Sequence, residues 1–344
     1  MALSTRYRPA VCITELGEGF CDEVVAARFP ERILRFRNDR AAARVGLHAL
    51  DEREWQAHFA EFVPLQDNLE KPLALRYHGH QFDAYNPFLG DGRGFLFAQL
   101  RDDGGRLLDL GTKGSGTTPF SRGGDGRLTL KGGVREVLAT EMLEALGVET
   151  SKSLSLFETG ESLLRSDEPS PARSSVLVRL SHSHVRFGTF QRLAHERDAE
   201  RSARLVSYVL RHYFGHLRDD AAIAPGAEGV ARFVAEVARA SAIYAAGLMV
   251  AGFVHGVLNS DNMSITGESF DYGPYRFLPT YDLGFVAAYF DHQGLYAYGR
   301  QPRAVFRNVV RLAESLRALA PQTSLAAAVA DFEAVMEQET RRRV

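Results

Sequence analysis

One stretch near residue 260 constrains the chain most, because it gathers oxygen ligands directly after a long apolar segment. His255 is followed by the adjacent pair Asp261 and Asn262, and Asp271 comes soon after. Residues 230–248 carry apolar side chains at helical spacing and predict the helix that leads into this loop. Mg²⁺ takes oxygen ligands, needs only one or two carboxylates, and leaves its other positions to water and phosphate oxygens. The loop therefore indicates a metal site for phosphate chemistry, with simple turn formation as the structural alternative.

The spacing of these residues can be compared with the catalytic loop of protein kinases, H-R-D-x-x-x-x-N. With His255 on the histidine, Asn262 falls on the asparagine, and Asp271 takes the place of the metal-binding aspartate. The position of the kinase base holds Val257, which cannot accept a proton. Asp261 is the nearby carboxylate that can replace it. The pattern predicts a kinase-like metal site with a relocated base.

Composition and charge place the chain among ordinary globular proteins. Its 344 residues suggest two domains or one two-lobed domain, and a hydrophobic content of 45% is ample for a core. The net charge of −2 gives no overall attraction to nucleic acid or to a membrane, so neither is expected as a partner. Cys12 and Cys21 cannot form a disulfide framework, and the first ten residues lack the apolar core of a signal peptide. A cytoplasmic location is expected.

The tetrapeptide Gly-Asp-Gly-Arg occurs twice, at residues 90–93 and 124–127, on either side of a predicted strand at 106–113. That strand is expected to form a hairpin with residues 95–100 through the Asp-Gly-Gly turn at 103–105. Glycines let backbone N–H groups approach phosphate oxygens, and an arginine adds a bidentate charge. A single copy would most simply be a β-turn, but two copies beside this strand favour a phosphate cradle.

Lys113 ends the predicted strand and is followed by glycines. In a kinase, the phosphate-binding lysine lies on a strand near a glycine-rich loop and pairs with a glutamate on a helix. Glu136 is available for this pairing, on a predicted helix whose apolar stripe contains Val134, Leu138 and Met142. Taken singly, Lys113 and Glu136 would be solvent-exposed residues at a strand end and on a helix.

Two arginines, Arg179 and Arg186, lie on either side of a His-Ser-His segment that follows a predicted strand. A guanidinium at a strand end can bind nucleotide phosphates through charge-assisted hydrogen bonds. It can equally form a structural ion pair, and the sequence leaves both roles open.

Strand patterns dominate residues 1–190 and helical stripes dominate residues 191–344, where Pro225 separates two of the predicted helices. Within the first part, residues 76–93 are rich in Gly, Asn, Pro and Asp and are predicted to be loop and turn. The pattern predicts an α+β protein with a protein-kinase-like, two-lobed fold. It has a strand-rich N-terminal lobe, a mostly helical C-terminal lobe, and the nucleotide in the cleft.

The order of these motifs resembles the selenoprotein O family. The similar text runs from about residue 75 to about residue 305. Its motifs are Tyr77-His-Gly-His-Gln-Phe, Gly90-Asp-Gly-Arg93, Lys113-Gly-Ser-Gly-Thr-Thr-Pro, Gly124-Asp-Gly-Arg127, Ser183-His-Val-Arg-Phe-Gly, His255-Gly-Val-Leu-Asn-Ser-Asp-Asn262 and Asp271-Tyr-Gly.

The resemblance implies an enzyme that transfers AMP, not phosphate, from ATP to Ser, Thr or Tyr hydroxyls of proteins and releases pyrophosphate. It implies that Lys113 binds phosphate and pairs with Glu136, and that Asp261 is the base. Asn262 and Asp271 would hold Mg²⁺, or Mn²⁺ in its place. The residues implied to line the nucleotide are Gly90, Gly92, Arg93, Asp125, Gly126, Arg179 and Arg186.

Members of that family usually extend well past the length of this sequence. The C-terminal lobe is therefore expected to be short or truncated. Two other functions stay open at this point. A kinase-like phosphotransferase would need a base where Val257 stands, and a non-catalytic ATP-binding protein would not need Lys113, Glu136 and Asp261 together.

Overall fold

The protein is described by a computed structural model that covers residues 3–217 and 226–344; Pro225, where the sequence predicts a break, lies outside the described residues. It is an α+β protein. The strands are β1 (Pro9–Ala10), β2 (Cys21–Glu23), β3 (Ile33–Arg37), β4 (Leu73–Leu75), β5 (Gly79–Gln81), β6 (Ala84–Asn86), β7 (Leu96–Arg101), β8 (Leu107–Lys113), β9 (Leu128–Thr129), β10 (Lys152–Leu163), β11 (Ala172–Ser181), β12 (Phe253–His255) and β13 (Tyr275–Phe277). The helices are α1 (Asp39–Arg44), α2 (Glu52–Phe59), α3 (Leu130–Ala145), α4 (Phe187–His195), α5 (Ala199–His212), α6 (Ala227–Val250), α7 (Gln301–Ser315), α8 (Gln322–Ala328) and α9 (Phe332–Arg343).

The chain divides into two compact units, each built from more than one segment. Unit 1 comprises Met1–Arg76, Phe88–Glu141 and Ser151–His184. Unit 2 comprises Tyr77–Pro87, Met142–Thr150 and Val185–Val344. The domain boundary near residue 190 that the sequence suggests stays a prediction.

Unit 1 is organised by a curled antiparallel sheet with the strand order β2-β4-β7-β8-β11-β10-β3. The predicted hairpin is confirmed, since β7 and β8 pair antiparallel with Arg101 opposite Leu107. On its other side β8 pairs with β11, which sets Lys113 opposite Leu177. The central strands are buried along almost their whole length, so Lys113, the last residue of β8, lies in the interior of the unit.

The core of unit 1 forms where helix α2 packs on the sheet. Asp51 and Glu54 make a reciprocal capping box that starts this helix. Trp55 and Phe59, one turn apart, are fully buried with their rings edge to face at 4.5 Å. The indole N–H of Trp55 donates to Ser155 Oγ on β10 at 2.9 Å, so the helix is tied to the sheet by a polar contact as well as by burial.

The buried face of helix α3 is not the face that carries its predicted apolar stripe. Val134, Leu138 and Met142 are 42%, 54% and 46% exposed, whereas Glu136 is only 2% exposed. The expectation that Glu136 on its own would be a solvated helix residue is therefore wrong. The physical reason is that Glu136 meets a buried cation, and pairing a buried charge outweighs placing a few apolar side chains inside.

Unit 2 is mostly helical, and α6 is its central helix, as the apolar stripe at residues 230–248 predicts. By length and composition α6 could cross a membrane, but 61% of its apolar window is buried inside the structure. Val230, Phe233 and Val237 on its inner face are fully buried. A core helix of this kind meets the same criterion, and its C-terminal end leads directly into β12 and the loop at residue 260.

Replacement of Trp55 by alanine tests the core of unit 1. We expect Trp55→Ala to lower the free energy of unfolding by at least about 3 kcal/mol, because a large buried ring is lost and Ser155 loses its donor. Urea unfolding followed by circular dichroism measures the change. The exposed Phe88→Ala serves as the control and should shift the free energy by about 0.5 kcal/mol or less. Equal effects in the two variants would contradict this description of the core.

Candidate functional site

The residues singled out from the sequence fall into two groups, one in each unit. Unit 1 holds the members Gly90, Gly92, Arg93, Lys113, Asp125, Gly126, Glu136 and Arg179. Unit 2 holds the members Arg186, Asp261, Asn262 and Asp271. The geometry of each group is described within its own unit.

Lys113 and Glu136 form a buried ion pair in unit 1. Lys113 Nζ donates to Glu136 Oε1 at 2.5 Å, and the two side chains are 9% and 3% exposed. Removing two charges from water is costly, and their attraction offsets the cost only in a close, hydrogen-bonded geometry. The strand β8 and the helix α3 therefore present an ammonium group that is held in one position.

The two glycine-rich tetrapeptides are packed against neighbouring backbone and rings. A Cβ on Gly90 would lie 2.3 Å from Phe120 Cγ, which no side chain can tolerate. Gly126 adopts φ +68, and a Cβ there would lie 2.2 Å from the carbonyl carbon of Gly116. Internal packing alone thus requires glycine at both positions. The compact loops that result carry their backbone close to the end of β8.

Arg93 and Asp125 behave differently within these loops. The side chain of Arg93 is exposed, and its carbonyl accepts a hydrogen bond from Gly114 N at 2.7 Å. Asp125 accepts from Arg165 Nη1 at 2.8 Å and from the backbone N–H of Arg127 at 2.9 Å. Partial burial would raise the pKa of Asp125, but these hydrogen bonds outweigh it and hold the pKa below its ordinary value. Asp125 is thus an ionised carboxylate in an ion pair.

Arg179 lies on β11 opposite Gly111 and is buried. Gly111 is required there by a different neighbour, because a Cβ would lie 2.3 Å from His184 Nε2. Gly92 is tied into its loop by its carbonyl, which accepts from Ser121 Oγ at 2.6 Å. The roles in nucleotide binding assigned to Arg179 and Gly92 stay predictions.

In unit 2 the polar loop after α6 is fixed by hydrogen bonds to its backbone. His255, the last residue of β12, donates its N–H to Gln301 Oε1 at 2.8 Å. Ser260–Asn262 then forms a single 3₁₀ turn. Asn262 Nδ2 donates to the Val257 carbonyl at 3.0 Å, which leaves Oδ1 as the acceptor atom of the Asn262 side chain.

Asp261 is a buried carboxylate, 8% exposed. Its Oδ2 accepts from Gln81 Nε2 at 3.2 Å, while Oδ1 has no hydrogen-bond partner among the described residues. Burial raises the pKa of Asp261 to about 6; the charge of Arg186 opposes this rise, and the charge of Asp271 adds to it. A carboxylate with a raised pKa and one oxygen without a partner is suited to accept a proton.

Arg186 joins Asp261 to Asp271. Its Nη1 donates to the Asp261 carbonyl and to Asp271 Oδ2, at 2.6 Å each. The guanidinium lies between the rings of Tyr77 and Phe270, at 4.5 and 4.6 Å from their centroids. The sequence left open whether Arg186 binds phosphate or forms a structural ion pair, and the structure contains the ion pair.

The donor set around Asn262 and Asp271 suits a hard divalent cation, since both offer side-chain oxygens. Asp271 adopts φ +60, the left-handed conformation that non-glycine residues rarely occupy. Such a conformation persists only where the surroundings impose it, and it is common at functional sites. Asp271 is thus held in an uncommon backbone geometry by contacts that include Arg186.

One element near Asp261, a short β-hairpin, was not predicted from the sequence. Residues 76–93 were expected to be loop and turn, but β5 and β6 form a hairpin there, with His80 opposite Tyr85. This hairpin supplies Gln81, the hydrogen-bond donor to Asp261. The available signal was in the motif Tyr77-His-Gly-His-Gln-Phe itself, where His78 and His80 recur at the two-residue period of a strand.

Comparison with known proteins agrees with the motif order. A family model described as protein adenylyltransferase SelO matches residues 1–344. The chain is 52% identical over 337 residues to a protein nucleotidyltransferase YdiU of Synechocystis sp., covering 97% of this chain and 68% of that protein. It is 50% identical over 342 residues to the YdiU protein of Trichodesmium erythraeum, covering 99% and 71%. With the one from Cereibacter sphaeroides it shares 43% identity over 301 residues, covering 87% and 60%.

The ion pair between Lys113 and Glu136 gives a testable prediction about stability. Glu136→Ala should destabilise the protein by about 3 to 5 kcal/mol, because it removes a partner of a buried ammonium group. Urea unfolding at neutral pH measures the effect. The exposed pair of Glu314 and Arg317 provides the control: Glu314→Ala should cost about 1 kcal/mol or less. A cost below about 1 kcal/mol for Glu136→Ala would contradict the prediction.

The raised pKa of Asp261 gives a prediction about pH. Below about pH 3.8 the carboxyl is protonated in both the folded and the unfolded chain. Between pH 3.8 and about 6 the unfolded chain ionises first, so stability falls, and above pH 6 the loss is complete. The asparagine side chain in the Asp261→Asn variant cannot ionise. It should therefore stabilise the metal-free, nucleotide-free protein at pH 8 by up to about 3 kcal/mol, with a smaller gain at pH 4.5.

Urea unfolding in the presence of EDTA at the two pH values measures this difference. Asp331→Asn, at an exposed carboxylate, controls for the chemistry of the substitution and should stay within about 0.5 kcal/mol. A gain from Asp261→Asn that does not increase with pH would show that burial of the charge is not its cause.

Proposed function

The chain belongs to the SelO family of protein adenylyltransferases, and from that membership we propose that it transfers AMP from ATP to Ser, Thr or Tyr hydroxyls of proteins. The observation that carries the proposal is Asp261, a buried carboxylate with one oxygen that no described residue contacts by a hydrogen bond. It lies beside Asn262, whereas Val257 occupies the position of a kinase base. This chain spans about two thirds of the length of its relatives from Synechocystis and Trichodesmium, and the proposal concerns the part it contains.

The reaction needs one proton acceptor at the attacking hydroxyl. The hydroxyl oxygen forms a bond to the α-phosphorus, the bond from that phosphorus to the β-phosphate bridging oxygen breaks, and pyrophosphate leaves. The carboxylate of Asp261 takes the hydroxyl proton. A general base works best when its pKa lies near the working pH, and the raised pKa of Asp261 brings it closer to that range than an exposed aspartate would be.

The nucleotide phosphates call for fixed positive charge and for backbone donors. We assign Lys113, held by Glu136, as the ammonium group that binds phosphate. Arg93 has an exposed guanidinium with no ion-pair partner among the described residues, which suits it to the same task. The remaining residues that we assign to the nucleotide are Gly90, Gly92, Asp125, Gly126, Arg179, Arg186 and Asp271.

For Asp125 and Arg186 the assignment to the nucleotide competes with ion pairs that both residues already make. We propose a protein-kinase-like, two-lobed fold, with residues 1–190 as the N-terminal lobe, residues 191–344 as the C-terminal lobe, and the nucleotide in the cleft. Stabilisation by fixed charges and positioning of the reactants would supply most of the rate.

Asn262 and Asp271 would hold the divalent cation, Mg²⁺ or Mn²⁺. A bound cation neutralises phosphate charge and orients the phosphate chain. Arg186 donates to the carboxylate of Asp271 and to the backbone of Asp261, so it holds the two residues next to each other. ATP and protein substrates are the proposed partners. The cytoplasmic location stays a prediction.

Transfer of label from ATP to protein tests the proposed function. With Mg²⁺ present and the chain itself as acceptor, label on the α-phosphate should appear on protein, and label on the γ-phosphate should not. Asp261→Ala should reduce this transfer by at least about 100-fold, because the hydroxyl loses its base, while leaving ATP binding intact. Transfer of the γ-label alone would make the chain a kinase. Full turnover by Asp261→Ala would refute the role of Asp261.

A further inference from the structure

The hairpin of β5 and β6 contacts the turn that carries Asp261 through three consecutive residues. The backbone N–H of His80 donates to Ser260 Oγ at 2.7 Å, and that of Phe82 donates to Asn259 Oδ1 at 3.2 Å. Between them, the Gln81 side chain donates to Asp261 Oδ2 at 3.2 Å. All these residues belong to unit 2. The hairpin backbone thus holds the side chains of the two residues that precede Asp261, and the Gln81 side chain contacts the carboxylate itself.

The orientation of the Gln81 amide is set by a second amide. Asn86 Nδ2 donates to Gln81 Oε1 at 3.0 Å. Because a primary amide accepts through its oxygen and donates through its nitrogen, this bond turns Gln81 Nε2 toward Asp261. The reversed amide would place two NH₂ groups against each other and an oxygen against the carboxylate. A chain of two hydrogen bonds therefore runs from Asn86 through Gln81 to Asp261 Oδ2.

Gly79 gives Asp261 the room that this arrangement needs. A Cβ at residue 79 would lie 3.0 Å from Asp261 Cβ, and 3.1 Å from both its backbone nitrogen and Oδ1. Those distances are tighter than ordinary van der Waals contact, so a side chain at residue 79 would require Asp261 to shift by a few tenths of an ångström. The strand β5 therefore contacts Asp261 in two ways. Gln81 donates a hydrogen bond to its carboxylate, and the absence of a side chain at Gly79 lets the strand backbone pack close to it.

The tip of the hairpin is anchored on α7 and on a nearby ring. Asp83 accepts from Arg311 Nη2 at 2.9 Å and also pairs with Arg307. The ring of Phe82 lies 5.0 Å from that of Tyr296, whose hydroxyl donates to Asn259 Oδ1 at 2.6 Å. The hairpin is thus held independently of the contact between Gln81 and Asp261.

We propose that Gln81, oriented by Asn86, is a positioning residue that holds Asp261 Oδ2 and so sets the orientation of the carboxylate toward the acceptor hydroxyl. The proposal rests on the proposed role of Asp261 as the base. A carboxylate can rotate about its Cβ–Cγ bond, and each orientation aims different lone pairs at the substrate. Holding Oδ2 removes that freedom before substrate binds, which is how preorganisation raises the rate.

The test compares variants of the full chain in transfer of the α-label, under single-turnover conditions with varied ATP. Gln81→Met keeps the length of the side chain but loses the donor. It should lower the rate at saturating ATP by about 10- to 100-fold and leave the half-saturating ATP concentration within about twofold. Asn86→Asp, nearly isosteric, offers no donor to Gln81 Oε1 and should lower the rate in the same way. Tyr85→Phe removes a hydroxyl from the same hairpin without touching this chain of bonds, and should change the rate by less than about twofold.

A second background separates positioning from general damage. In the Asp261→Asn protein, Gln81→Met should cause no further loss of the residual rate, because the group through which it acts is already gone. An equal loss in both backgrounds, or an equal loss from Tyr85→Phe, would overturn the positioning role. The rate of the Asp261→Asn single variant distinguishes failure of the proposed function from failure of the positioning role of Gln81. Full transfer by that single variant would remove Asp261 as the base whatever Gln81→Met does.

Discussion

The geometry of the unit 2 site depends on one buried guanidinium. Arg186 is placed between two aromatic rings, those of Tyr77 and Phe270, and its Nη1 reaches the Asp261 backbone and the Asp271 carboxylate together. A buried cation without such partners would be prohibitively costly, so the rings and acceptors must assemble around it. Tyr77 comes from one segment, and Phe270 and the two aspartates come from another that lies 75 to 85 residues after Arg186. One side chain therefore couples the segment just before the hairpin, the turn that carries Asp261 and the segment that carries Asp271.

The electrostatics of Asp261 and Asp271 follow from this arrangement. Arg186 donates to the side chain of Asp271 and to the backbone carbonyl of Asp261, and its charge opposes the rise in the pKa of Asp261. Burial then dominates at Asp261 and raises its pKa, while Asp271 keeps an ion-pair partner. These different surroundings agree with the proposed roles, in which one carboxylate accepts a proton and the other binds a cation.

The parts of this structure that follow local sequence rules could be predicted, and the parts that depend on distant partners could not. The hairpin of β7 and β8, the long helix α6 and the candidacy of Lys113 and Glu136 all follow from periodicity, turn residues or spacing. The buried face of α3 could not be inferred, because the apolar stripe of Val134, Leu138 and Met142 pointed the other way. The bridging contact of Arg186 and the donor Gln81 were missed for the same reason, since each involves residues about 75 to 180 positions away.

The exposed stripe on α3 shows why a local pattern can mislead at a functional element. Turning those apolar residues inward would expose Glu136 and leave Lys113 buried near the end of β8 without that carboxylate. A few partly exposed apolar side chains cost about 1 to 2 kcal/mol each, less than an uncompensated buried charge. The buried contact of Glu136 with Lys113 therefore favours this orientation of α3, together with the burial of Ala139 and Leu143, and it is also the contact that a phosphate-binding lysine requires. Stability and the proposed function select the same helix face, opposite the stripe of Val134, Leu138 and Met142.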